Sequence, residues 1–283
     1  MADVLVGGVR FHVVRLGPGA DGASGCVRPA PPPVVFIHGL IMDNLSSFYY
    51  TLAPTIARKR EVVLFDLRGH GLSERTADGY RVEDGVGDLI GILDALGIDR
   101  PVHLVGNSYG GTIALAAALS RPRRVAGLVL IEGHPAFSGW GAEMGDDLAD
   151  LVGGFSRPHM HEYLTRKAPR YLRRMAKTAE DLVTVSSMRE DLRSSRPTDP
   201  EDLAAISCPT LLLYGENSDI IDRAYVLNEA IPQSELRIID GCSHALLMET
   251  PAEMCRQVDE WLDEQALGNG NAGAAEPAEA RSR

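Results

Sequence analysis

Cysteine is scarce in this sequence, with four in 283 residues (Cys26, Cys208, Cys242 and Cys255) and no Cys-x-x-Cys pair. That spacing speaks against a zinc ribbon and a dense disulfide framework, and points to reduced thiols. Basic charge is short as well: 28 Lys and Arg stand against 39 Asp and Glu, for a net charge of −11. A chain of that sign repels polyphosphate and anionic lipid, so neither nucleic acid nor a membrane is expected as a partner. Long hydrophobic runs are also missing, none approaching the roughly 18 apolar residues of a membrane helix. The opening MADVLVGGVRFHVVRLG has no basic segment followed by an apolar core, as a secretory signal would. A soluble, cytoplasmic protein is the expectation.

What is present is ordinary globular composition, 45% hydrophobic and 24% charged, enough to bury a sizeable core. Residues 4–6 and 9–16 flank Gly7 and Gly8 and read as a hairpin. Beyond a Gly- and Pro-rich loop, six short apolar runs follow: VVFIH (34–38), EVVLFD (61–66), VHLVG (102–106), VAGLVLIE (125–132), TLLLYG (210–215) and ELRIID (235–240). Helical patterns near 46–57, 82–96, 109–120, 223–230 and 251–265 separate them. Continuous apolar strands between helices predict an α/β fold with a parallel sheet covered on both faces.

One interval breaks the alternation. Residues 135–206 carry no strand signal but several helical patterns, and a structureless loop of that length is uncommon in a compact domain. The expected organisation is a core of residues 1–134 and 207–266, an inserted helical cap at 135–206, and a tail at 267–283 too poor in large apolar residues to order.

The chemistry centres on GNSYGG, residues 106–111. A strand leads into Ser108 and a helix leaves it, the context in which a Gly-x-Ser-x-Gly match marks a nucleophile rather than a small residue in a turn. A serine hydroxyl needs a base. Of eight histidines, His244 stands after the last apolar run and before the final helix, at the sheet edge where Ser108 would emerge. His12 and His103 lie inside strands and read as packing residues, and His159 and His161 lack companions for a metal site, so no metal is expected. A third group must orient the imidazole. The loop after TLLLYG holds Glu216, Asp219 and Asp222; Asp219 is favoured, with Asp222 and Glu132, at the end of the preceding core strand, as rivals. VVFIHGLIMD offers a backbone N–H at Leu40, and Tyr109 a second, as oxyanion donors.

Five ordered segments, HGL (38–40), DLRGHGLS (66–73), GNSYGG (106–111), YGENSD (214–219) and GCSHALLMETP (241–251), resemble those of the α/β-hydrolase superfamily across residues 4–265. The resemblance implies an eight-stranded, mostly parallel sheet with an antiparallel second strand, and Ser108, Asp219 and His244 as a triad with no cofactor. It gives DLRGHGLS a structural part, so Asp66 and His70 take no catalytic role. There is one departure: the family often places its acid three residues after the strand-ending glycine, where this chain has Ser218.

A serine at position 108 disfavours the dehalogenase and epoxide hydrolase activities of the fold, which use aspartate there. Hydrolysis of a carboxylic ester or thioester through an acyl-serine is the leading expectation. Carbon–carbon bond hydrolysis, lactonase and cofactor-free perhydrolase chemistry use the same triad, and a non-enzymatic binding member of the fold is the opposing class. Phe137, Trp140, Phe155 and Met160 in the cap are expected to line a pocket for a hydrophobic acyl group, on a small molecule or on a carrier protein.

Overall fold

The computed structural model describes residues 2–18 and 30–272. Cys26, with most of the Gly- and Pro-rich loop around it, and residues 273–283 of the tail lie outside the described residues. Eight strands form one sheet: β1 (Ala2–Val6), β2 (Val9–Leu16), β3 (Val34–Ile37), β4 (Val62–Phe65), β5 (Val102–Asn107), β6 (Val125–Ile131), β7 (Thr210–Gly215) and β8 (Ser234–Ile239). Their order is β1-β2-β4-β3-β5-β6-β7-β8. β2 alone runs against the direction of the other seven strands, so the architecture implied by the resemblance is present.

The apolar runs are continuous because both faces of the sheet are buried. Val35 and Ile37 of β3, Leu128 and Leu130 of β6, and Leu212 and Tyr214 of β7 enter the core on one face. Their alternates, Val34, Phe36, Val129, Ile131, Leu211 and Leu213, enter the core on the other. This is the period-2 alternation of a strand written in apolar residues on both sides.

The helices are α1 (Ser46–Tyr49), α2 (Ala53–Ile56), α3 (Val82–Ala95), α4 (Tyr109–Ser120), α5 (Trp140–Phe155), α6 (Pro158–Glu162), α7 (Arg170–Thr184), α8 (Met188–Ser194), α9 (Ile221–Ala230), α10 (Leu246–Glu249) and α11 (Pro251–Ala272). Two differ from the sequence reading. The single helix expected over 46–57 is split into α1 and α2, because Pro54 cannot continue an incoming helix and instead starts a new one. At the other end α11 runs through Ala272, past the boundary at 266 drawn from composition, since each added residue of an existing helix gains a hydrogen bond.

Between β6 and β7 the chain forms α5 to α8, a π-helical turn at Tyr163–Lys167 and a 3₁₀ turn at Pro200–Ala205, with no strand. This segment is tied to the sheet's carboxyl edge. The Asp191 carboxylate of α8 accepts the N–H groups of Gly79 and Tyr80, each at 3.0 Å, and Trp140 of α5 stacks on Tyr109 with ring centroids 6.1 Å apart. No helix among the described residues is long and apolar enough to cross a membrane.

Candidate active site

The carboxyl ends of six parallel strands, β3 to β8, share one edge of the sheet, where open α/β sheets place their sites. Three of them carry strain. Among the described residues the only non-glycine residues with positive φ are Ile41 (68°), Ser108 (51°) and Glu132 (53°). Such conformations persist only where surrounding contacts enforce them, and they cluster at functional positions.

Ser108 sits between β5 and α4, at φ 51° and ψ −117°. Its N–H donates to the Ile131 carbonyl at 2.9 Å, and its own carbonyl accepts the N–H of Gly111 at 2.8 Å. The turn is this sharp because its glycines allow it. A Cβ on Gly106 would lie 2.4 Å from the Gly110 carbonyl oxygen, and one on Gly110 would lie 2.0 Å from that of Ile37. The second contact also presses the start of α4 against the end of β3, and so brings the HGL turn alongside Ser108.

That turn is held from beneath. The His38 Nδ1–H donates to the Gly39 carbonyl at 2.6 Å, while its Nε2 accepts the Leu67 N–H at 2.9 Å. His70 repeats the pattern: Nδ1–H to the Arg68 carbonyl at 2.8 Å, and Nε2 accepting the Ile41 N–H at 2.8 Å. Both rings therefore carry their proton on Nδ1 and act as struts. Asp66 accepts the N–H groups of Leu45 and Leu72, at 2.9 and 2.8 Å, so DLRGHGLS braces the loops around the site. Asp43 accepts the Gly39 N–H at 2.7 Å and faces the Asn107 amide at 3.4 Å; nothing local in the sequence singled it out. The N–H groups of Leu40 and Tyr109 donate to no protein atom among the described residues.

His244 follows β8. Its Nε2 stands 3.2 Å from the Ser108 Oγ, so the expected pair is brought together. Two carboxylates reach its other nitrogen. The Glu132 Oε2 is 3.2 Å from Nδ1 with its side chain fully buried, and the Asp219 Oδ1 is 3.6 Å away with its side chain 81% exposed. Burial pulls the His244 pKa down, but the close approach and charge of Glu132, followed by the charge of Asp219, outweigh it and raise the pKa. Asp222 lies in the first turn of α9 and makes no ion pair with His244.

The four residues expected at the pocket lie apart from the cavity nearest the HGL turn. A narrow cavity of about 20 Å³ beside Leu40 and Tyr109 is lined by Tyr80, Ile113 and Met188 among others, and by none of Phe137, Trp140, Phe155 or Met160. Phe137 and Phe155 are half-buried against the core, Trp140 is buried, and Met160 is half-buried on α6. It is α8, through Met188, that faces this part of the sheet edge. A wider open depression of about 530 Å³ lies at Asp3, Arg10, His12 and Glu74 and includes none of the residues around Ser108. Among the described residues no group of three His, Cys, Asp or Glu is placed to hold a metal ion.

Three buried histidines contribute to the acid response of the protein. Burial lowers His70 to about 3, with the nearby charge of His38 adding to it. Burial likewise takes His103 to about 4 and His134 to about 3. Each folded-state pKa is below the unfolded value of about 6.5, so below that pH the unfolded chain binds protons the native chain refuses. Stability is retained above pH 6.5 and falls with pH beneath it, by about 1.4 kcal/mol per pH unit for each fully shifted histidine. Urea midpoints should drop steadily from pH 6.5 to 4.5; a flat profile there would contradict the burial of these rings.

Comparison with known proteins agrees with this geometry. The chain is 30% identical over 279 residues to the 2-hydroxy-6-oxo-2,4-heptadienoate hydrolase of Pseudomonas putida, covering 92% of this chain and 95% of that protein. It is also 30% identical over 294 residues to the 2-hydroxymuconate semialdehyde hydrolase of a Pseudomonas species, covering 93% of each. A solved N-acyl homoserine lactone degrading enzyme superimposes with a TM-score of 0.66 at 25% identity, over 91% of this chain and 98% of that one. Residues 34–257 match the model of the alpha/beta hydrolase family, and the chain belongs to that family.

Proposed function

We propose that this hydrolase cleaves a carboxylic ester or thioester through an acyl-serine intermediate. The observation that carries the reading is the Ser108 Oγ poised 3.2 Å from the His244 Nε2, on a strained turn beside two unpartnered amides. His244 accepts the Ser108 proton as Oγ attacks the carbonyl carbon, and the raised imidazole pKa suits it to hold that proton. The oxyanion that develops is received by the Leu40 and Tyr109 N–H groups; the start of α4 adds a helix N-terminus at the same place. His244 then returns the proton to the leaving group and activates water for deacylation. The acyl group proposed is hydrophobic, on a small molecule or a carrier, since Trp140 of the inserted segment stacks on Tyr109, the residue next to Ser108.

A second reading has support of a different kind. The relatives at 30% identity are named for 2-hydroxy-6-oxo-dienoate and muconate semialdehyde substrates. In carbon–carbon hydrolysis the same nucleophile and donors would meet a ketone, and the leaving carbon would depart as a stabilised enolate and take up a proton.

A fluorophosphonate probe tests the nucleophile. It should label the folded chain on Ser108 and leave Ser108→Ala untouched; a folded wild-type chain that takes no label would remove the hydrolase reading in favour of a binding protein. A panel of p-nitrophenyl esters, acyl thioesters and 2-hydroxy-6-oxo-dienoates then separates the two chemistries. Turnover of the dienoates with inert esters would overturn the ester assignment.

A further inference from the structure

We propose that Glu132, at the end of β6, is the positioning residue that holds the His244 imidazole, and that Asp219 on the β7 loop contributes only a secondary charge. The inference rests on the serine-hydrolase reading above and names the carboxylate of that site.

Strand register puts Glu132 there. Asn107 of β5 pairs with Ile131 of β6, so the next residue on each strand, Ser108 and Glu132, emerge side by side. The Glu132 N–H donates to the Leu213 carbonyl at 2.9 Å, which fixes its backbone between β5 and β7 at φ 53°. A side chain in that left-handed conformation is strained, and the surrounding sheet has to hold it there.

The carboxylate is itself held. Its Oε1 accepts the Gly215 N–H at 2.6 Å, and its Oε2 accepts the Ser218 hydroxyl at 2.5 Å while facing His244 Nδ1 at 3.2 Å. Both donors are neutral. No lysine or arginine among the described residues pairs with Glu132, so the one cation available to this fully buried carboxylate is the protonated His244. A buried charge without a partner is costly, and a pair separated from water interacts more strongly than an exposed one. Glu132 is therefore built to favour the imidazolium. Asp219 is farther away, at 3.6 Å, and its 81% exposed side chain is screened by water. Ser218, where the family often has its acid, spends its hydroxyl on Glu132 and completes the exchange of roles between the two strands.

The test is the rate constant for fluorophosphonate labelling of Ser108 as a function of pH. His244 is faced by Glu132 from β6, by Asp219 from the β7 loop, and by His134, whose own pKa is lowered to about 3 by burial and then by the charge of His244. Glu132→Gln should lower the rate constant by about 10³ to 10⁴ and move the inflection of the profile to lower pH, a shift a merely structural role would not produce. Glu132→Asp should recover part of the rate and of the inflection. Asp219→Asn should cost less than about tenfold. A loss of 100-fold or more in Asp219→Asn, or an unshifted profile in Glu132→Gln, would overturn the assignment. Because Asp219 is exposed, its variant folds and decides the matter even if Glu132→Gln does not. Absence of label in the wild-type chain would instead overturn the hydrolase reading.

Discussion

Replacing Ser108 with alanine is expected to lower turnover of the best substrate by about 10⁴ to 10⁶, and His244→Ala to lower it by a similar factor. The two residues act as one device, since the base has no proton to take without the hydroxyl and the hydroxyl is a weak nucleophile without the base. The double variant Ser108→Ala/His244→Ala should consequently be no slower than either single one, and what remains comes from binding and the oxyanion donors. Folding should be intact in both. The Ser108 side chain touches only His244 in the hydrogen-bond network, and its backbone bonds to Ile131 and Gly111 survive the change. Steady-state kinetics with urea denaturation on the same samples checks this: additive losses in the double variant would show that the pair does not work as a unit, and near-normal turnover in either single variant would displace the site.

Gly110→Ala is expected to be the most damaging small substitution in the chain. The new methyl would lie 2.0 Å from the Ile37 carbonyl oxygen and 2.7 Å from that of His38. Neither is a flexible side chain. Both belong to β3 and its exit, and β3 is laddered to β4 on one side and β5 on the other. Relief must come from moving α4 or the HGL turn, so the cost should reach about 3 kcal/mol, the upper part of the overpacking range. The same movement separates the Leu40 and Tyr109 amides, and losing one oxyanion donor costs about 10² to 10³ in rate. Gly87→Ala is the matched control. It lies exposed inside α3 with nothing within 4 Å of the added Cβ, and should stabilise the chain by about 0.5–1 kcal/mol with unchanged turnover. Equal effects of the two substitutions would show that the close approach at Gly110 does not position the site.

The family relation bears on how these results are read. The relatives are named as hydrolases of 2-hydroxy-6-oxo-2,4-heptadienoate and 2-hydroxymuconate semialdehyde, whereas the features around Ser108 are those any carbonyl hydrolysis needs. Nucleophile, base and oxyanion donors are common to both chemistries; discrimination rests on what surrounds the leaving group. The narrow cavity beside Leu40 and Tyr109 includes Met188 and Tyr80, joined through the Asp191 contacts that tie α8 to the loop before α3. Substitutions in α8 should consequently alter substrate preference before they alter labelling of Ser108.

Much of this was legible in the chain. The strands announce themselves because burial on both faces demands uninterrupted apolar runs, and their bounds agree with those runs to within a residue or two. The pairing of Ser108 with His244 was legible for a related reason: a sharp strand-to-helix turn needs glycine at fixed offsets, and the loop after the last strand contains one histidine. Other features depend on which distant parts touch. The resemblance gives DLRGHGLS a structural part, but the partner that His70 supports, the Ile41 N–H 29 residues earlier in the chain, is set by the fold alone. Likewise, that Trp140 stacks on Tyr109 while Met188 lines the cavity beside it follows from the seating of α5 to α8, which is settled by packing rather than by composition. The carboxylate is the sharpest case. The order of strands favours Asp219, which also resembles the family more closely, and Glu132 is a rival in space alone. Only the tertiary structure places Glu132 in a dry, hydrogen-bonded position beside His244 and leaves Asp219 in water, because burial and register between neighbouring strands determine how strongly a charge acts.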